Sequence, residues 1–94
     1  MLKTFANAET EAVFNDQRPA GIEPRVLSAA KRKLEKLNRA KAVGDMRFPL
    51  GNRLHRLEHG RAGQWSISVS STWRICFRWH EGDAYEVELI DYHK

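Results

Sequence analysis

The chain lacks the features that would place it in several large protein classes. Its single cysteine, Cys76, cannot close an internal disulfide, and with no Cys-x-x-Cys pair there is no thiolate zinc motif. Cys76 lies in an apolar and aromatic run, where a thiol reads as a small buried side chain rather than a reactive one. No apolar run approaches the ~18 residues of a membrane-crossing helix. Glu9 and Glu11 interrupt the only apolar stretch near the amino end, so no signal peptide is expected and a cytoplasmic setting is. No strand–Gly-x-Ser-x-Gly–helix elbow supports a serine nucleophile, because Ser66, Ser68, Ser70 and Ser71 fall on a polar strand face and a turn. The lysines and glycines form no phosphate-binding loop, and neither repeats nor low-complexity segments occur.

What is present is charge, unevenly placed. The 94 residues, expected to form one domain over 1–94, carry a net charge of +4. Residues 1–23 contribute −2, residues 24–47 +6, residues 48–80 +4 and residues 81–94 −4. The strongly basic middle predicts a polyanionic partner and an association that weakens as salt rises. A solvated helix face with ordinary surface arginines would give the same totals.

The spacing of apolar residues predicts an α+β domain. Residues 2–6 alternate as a short strand, and Asn7 caps a first helix over residues 8–16 that buries Ala12, Val13 and Phe14. Pro24 opens a second helix with Leu27, Ala30, Leu34 and Leu37 on one face, Glu35 reaching Arg39 on another, and Gly44 ending the region. Met46 and Phe48 are expected to plug the core from a following loop. Strands are then predicted over 53–59, 64–70, 73–80 and 84–91, joined by short turns and therefore antiparallel. Alternation points Trp73, Ile75, Phe77 and Trp79 inward with Tyr85, Val87 and Leu89, and Arg74, Cys76 and Arg78 outward. The amino-terminal strand is expected to join this sheet.

Two groups of residues carry candidate chemistry. Asp91-Tyr92-His93 brings an acid, a phenol and an imidazole together after the last strand, near paired arginines, which suits acid–base work on an anionic substrate. Strict alternation turns Tyr92 away from its neighbours, so a shared site requires the strand to end or bulge near Asp91. Arg74 and Arg78 project from one strand face, where guanidinium groups grip phosphate bidentately. Pairing with Glu86 or Glu88 is the plainer reading, and the better one for Arg78. A metal is not expected, since His55 and His59 on a strand stand ~13 Å apart and no Glu beside His55 completes a metalloprotease motif.

Four motifs in order then resemble a known family. They are Gly51-Asn52-Arg53-Leu54-His55-Arg56-Leu57, Gly63-Gln64-Trp65-Ser66-Ile67-Ser68-Val69, Trp73-Arg74-Ile75-Cys76-Phe77-Arg78-Trp79 and Val87-Glu88-Leu89-Ile90-Asp91-Tyr92-His93. Together with Asp45-Met46 and Pro24 they resemble the HigB toxins of the RelE/ParE superfamily of bacterial toxin–antitoxin systems. The resemblance implies a RelE-like fold, two amino-terminal helices packed on a twisted, mainly antiparallel sheet of four to five strands. It implies a ribosome-dependent endoribonuclease that cuts messenger RNA in the ribosomal A site without metal or cofactor. It also implies a HigA-like helix-turn-helix antitoxin that brings the toxin to operator DNA, and no membrane partner.

The family's catalytic set maps to His55, Asp91, Tyr92 and His93, and its phosphate-holding arginine to Arg74. On this basis His93 is expected to act as base or acid with Asp91 orienting it, and Tyr92 to position or stack on the substrate. His55 supplies the second proton function. Arg53, Arg56, Lys31, Lys33 and Lys36 are the expected RNA anchors, with small-subunit ribosomal RNA and A-site messenger as partners. Two other readings are open: a ParE-like toxin that poisons DNA gyrase by protein contact, and a non-enzymatic nucleic-acid-binding module.

Overall fold

The apolar stripe of the second predicted helix is where the core begins. In a computed structural model, which describes residues 1–92, this helix α2 (Pro24–Arg39) buries Leu27, Ala30, Leu34 and Leu37 together with Val26. Pro24 occupies its first turn, where a missing N–H costs nothing. The helix ends earlier than Gly44. Ala40 turns extended, and the Asp45 carboxylate accepts from the N–H groups of Lys41 at 2.9 Å and Ala42 at 3.2 Å. These bonds start a separate 3-10 segment, Val43–Arg47, that contains Gly44.

The first helix, α1 (Ala8–Phe14), is capped as expected: Asn7 Oδ1 accepts from the Thr10 N–H at 2.9 Å. It stops short of Asp16, which sits in the left-handed region at φ 66°. Thr10 is buried, and its hydroxyl oxygen accepts from the Leu89 N–H at 2.9 Å, tying the helix to the sheet.

The sheet has four strands in chain order, each antiparallel to its neighbour: β1 (His55–Arg56), β2 (Trp65–Ser68), β3 (Trp73–His80) and β4 (Asp83–Asp91). Both helices contact β4. The amino-terminal segment runs beside β4 through isolated parallel bridges, Leu2 with Ala84 and Phe5 with Val87. The expected strand over 53–59 shrinks to two residues. Arg53 adopts a left-handed conformation (φ 50°, ψ 51°) that closes one 3-10 segment, Leu50–Asn52, and a second occupies His59–Arg61. The strand over 64–70 shortens because the Val69 and Ser70 N–H groups both bond the Trp73 carbonyl, at 2.8 and 3.2 Å, and close the turn.

One irregularity resets the inward–outward order of β4. Cys76 pairs with Glu88 but Arg78 pairs with Tyr85, so Glu86 and Val87 together face Phe77, with Glu86 at φ 51°. The bulge lets Ala84 and Val87 both remain buried and turns Tyr85 to the face of Arg78. Tyr85 therefore does not point inward as alternation predicted. Arg78 pairs with Glu86 at 3.1 Å, and Lys31 rather than Arg39 is the partner of Glu35, at 3.7 Å. The loop before β1 departs in a second respect. Met46 is buried, but Phe48 is 61 % exposed and plugs nothing.

The core lies between the helices and one face of the sheet, where Ile67, Ile75, Phe77, Val87 and Leu89 meet Leu27, Ala30, Leu34, Leu37 and Met46. Among the described residues no helix is long and apolar enough to cross a membrane.

Candidate active site

Cross-strand pairing assembles a polar row on the sheet face opposite the core. Residues opposite one another on antiparallel strands share a face. His55 pairs with Ser66, Ser66 with Cys76 and Cys76 with Glu88, while Ser68 pairs with Arg74 and Arg74 with Ile90. Tyr92 follows β4 and donates its backbone N–H to the Thr72 carbonyl at 2.8 Å. Its hydroxyl lies 3.4 Å from Cys76 Sγ, and the Arg74 guanidinium carbon stands 5.6 Å from its ring centre. Nη1 of Arg74 donates to Ser66 Oγ at 3.5 Å. Arg74 is thus the hub: it touches the phenol on one side and the hydroxyl paired with His55 on the other.

Arg74 also lines a cleft of 490 Å³ with Lys33, Arg53, Ser68, Ser70 and Ser71. Three cations and three hydroxyl groups without a carboxylate make an anion cradle. Lys33 enters from α2, and its ammonium bonds the side-chain oxygen of Asn52. Asn52 is buried and in turn donates to the carbonyls of Met46 at 3.1 Å and Phe48 at 3.2 Å, so one side chain fixes both the loop and the lysine. Desolvation first, then the charges of Arg32 and Lys36, hold the Lys33 ammonium below its ordinary lysine value. A cation so placed gains from an arriving phosphate.

His55 is exposed, and its Nδ1 lies 2.8 Å from the Arg53 carbonyl oxygen. A carbonyl only accepts, so Nδ1 is the donor in this bond and Nε2 is the ring nitrogen left for other partners. The left-handed turn at Arg53 therefore orients the imidazole. Desolvation of the Tyr92 phenol, then its bond to Cys76, raise its pKa above the ordinary tyrosine value, although the residue as a whole is 45 % exposed; Arg61 and Arg74 pull it back in part. The phenol therefore keeps its proton at neutral pH.

The remaining expected site residues divide. Asp91 pairs with Trp73 and so lies on the opposite face from Arg74 and Tyr92; β4 ends there without a bulge. Arg56 pairs with Trp65 and sits 5.3 Å over its ring, on the face away from His55. Lys31 is turned toward α1, held by the Phe14 carbonyl and by Asp16 at 3.4 Å. Lys36 is tied to the Phe48 carbonyl. His93 lies outside the described residues.

Two contributors were not singled out in the sequence. Arg61 bonds Glu88 at 3.1 Å and Gln64 at 2.9 Å beside the phenol, and Asn52 anchors the cleft wall. Glu88 has the same strand phase as Cys76, a usable signal, whereas Arg61 comes from a 3-10 segment that periodicity does not reach. Among the described residues no three His, Cys, Asp or Glu side chains cluster as metal ligands.

Residues 3–93 match a family model described as RelE-like toxin of type II toxin-antitoxin system HigB. The chain is 30 % identical over 93 residues to Endoribonuclease HigB of Proteus vulgaris, covering 99 % of this chain and 100 % of that one. It is 40 % identical over 80 residues to Toxin HigB-1 of Vibrio cholerae serotype O1, covering 85 % and 83 %. Among solved structures it is similar to YafQ from E. coli strain BL21(DE3), with a TM-score of 0.66 over 99 % of this chain and 93 % of that one. A YafQ mutant superposes at a TM-score of 0.67 with the same coverage. At 10 % and 8 % identity these two speak for the fold alone.

Proposed function

Because the chain belongs to the HigB-like toxins, the RelE-like toxins of type II toxin–antitoxin systems, we propose that it is an endoribonuclease that cuts messenger RNA in the ribosomal A site. Its partners in this reading are the small ribosomal subunit with its bound messenger and a HigA-like antitoxin, through which it reaches operator DNA. The observation that carries the reading is the position of Arg74, shared between the cationic cleft, Ser66 and the ring of Tyr92.

The chemistry needs no water. The ribose 2′-oxygen attacks the adjacent phosphorus, the bond from phosphorus to the 5′-oxygen breaks, and the products are a 2′,3′-cyclic phosphate and a 5′-hydroxyl. One proton leaves the 2′-oxygen and one reaches the 5′-oxygen. His55 accepts the first at Nε2. Arg74, Arg53 and Lys33 surround the charge that develops on the phosphorane oxygens, where fixed cations in a partly desolvated cleft act most strongly. Tyr92 donates a hydrogen bond or proton to the leaving side, and His93 is the second candidate for that proton. Asp91, on the other face of the strand, acts through the placement of its neighbours rather than on substrate.

Of the expected RNA anchors, Lys33 and Arg53 retain a direct role at the cleft. Lys31 contributes to joining the helices. The test is cleavage of messenger on programmed ribosomes, with end-group analysis of the products. A 2′,3′-cyclic phosphate product lost in Arg74→Ala supports the reading. Intact messenger together with inhibited DNA supercoiling would overturn it in favour of a gyrase poison.

A further inference from the structure

A second cavity lies on the far side of the turn between β2 and β3. At 820 Å³ it is larger than the cleft, and large enough for a nucleotide. Arg25, Ser28 and Arg32 line it from a single face of α2, since positions three, four and seven apart on a helix are neighbours. Thr72 and Trp73 line it from the sheet side. Arg25 and Arg32 are exposed, and among the described residues neither makes an ion pair; Glu23 is the single acid at this groove.

Its relation to the cleft is direct. Val69, Ser70 and Ser71 line both, so the two are opposite sides of one turn. Consecutive residues of α2 serve the pair, Arg32 in the groove and Lys33 in the cleft. A chain of phosphates gripped at Arg74 and continued over the turn meets Arg25 and Arg32 next. We propose that this groove is a second phosphate site for the substrate strand, within two linkages of the scissile one. Its arginines bind one backbone phosphate, and its Trp73 wall accommodates the attached nucleoside. The site rests on the nuclease reading above and deepens it. An acidic protein segment would find the same two cations, but continuity with the cleft favours a strand that occupies both.

The experiment compares the wild type with an Arg25→Gln/Arg32→Gln double variant on ribosomes carrying messengers. In these messengers a single neutral methylphosphonate linkage is stepped through two positions on either side of the cleavage point. The double variant is expected to raise KM about tenfold with kcat within about twofold, because a contact made equally in ground and transition states moves KM alone. Its dependence of log KM on log salt should flatten by about 0.7, the value for one phosphate of a single strand. One neutral linkage should raise KM for the wild type and have no further effect on the variant.

A double variant with wild-type KM, alongside an active wild type, overturns the groove and leaves the nuclease standing. A raised KM that no neutral linkage reproduces assigns the arginines to ribosomal RNA and overturns the proposal. Unchanged cleavage with weakened antitoxin binding does the same. A wild type inert on every messenger overturns the nuclease reading and the groove with it.

Discussion

The phenol oxygen of Tyr92 stands 3.4 Å from the sulfur of Cys76, and that thiol is wholly buried beneath it. Burial and this bond raise the pKa of the phenol above 10.0, so Tyr92 is neutral through the physiological range. Tyr92→Phe should lower single-turnover cleavage on ribosomes by about 10²-fold, the lower end for removing a general acid. Cys76→Ser keeps a hydroxyl in reach of the phenol and should stay close to wild type. Any alkaline decline caused by Tyr92 belongs above pH 10.0, where a raised phenol ionises. A decline near pH 8 that vanishes in Tyr92→Phe would contradict this assignment.

His55 is oriented from its Nδ1 side by the Arg53 carbonyl at 2.8 Å. His55→Ala should cost ~10²–10⁴ in rate, the range for a proton-transfer group, with ribosome affinity retained. Single-turnover rates at saturating toxin separate the two quantities. Full activity in both His55→Ala and His93→Ala would remove the acid–base scheme altogether.

Arg74 and Lys31 should behave in opposite ways although both are cations. Arg74→Lys keeps the charge but loses the planar fork, and should reduce kcat by about 10²-fold, comparable to losing one donor to a developing oxyanion. Lys31→Glu places an acid beside Asp16 and Glu35 and over the Phe14 ring. It should lower the urea midpoint and leave kcat of the folded fraction unchanged. A Lys31→Glu protein of normal stability that fails to bind ribosomes would restore Lys31 as an RNA anchor.

Asn52 is buried and serves two loop carbonyls and the Lys33 ammonium. Asn52→Ala leaves those carbonyls short of a donor and should cost about 2–3 kcal/mol in unfolding free energy. Denaturant titration measures it. A loss below ~0.5 kcal/mol would show that the loop is held by other contacts.

Asp45 gives the acid-side prediction. Its carboxylate accepts from the Lys41 N–H and then the Ala42 N–H, which lower its pKa below 3.8. A depressed carboxyl means the unfolded chain binds the proton first as pH falls. The stabilising contribution is therefore complete above the unfolded pKa and disappears as pH drops through the folded one. The difference in midpoint between wild type and Asp45→Ala should be constant from pH 7 to 5 and close below pH 3.8. A difference independent of pH would assign the effect to helix propensity alone.

Order along the chain was sufficient for the capped first helix at Asn7, the apolar stripe from Leu27 to Leu37 and the inward row Trp73, Ile75, Phe77 and Trp79 on β3. It was sufficient too for the family motifs that single out His55, Arg74 and Tyr92. Caps and periodicities are contacts between near neighbours in the chain, so spacing expresses them directly. Tertiary structure alone decided that Tyr85 turns outward at the Glu86 bulge and that Phe48 is exposed. It also divided the basic helix, committing Lys31 to α1, Lys33 to the cleft and Arg25 with Arg32 to a groove. Those outcomes depend on cross-strand register and on which distant backbone groups need donors, and neither is written in the period of a single segment.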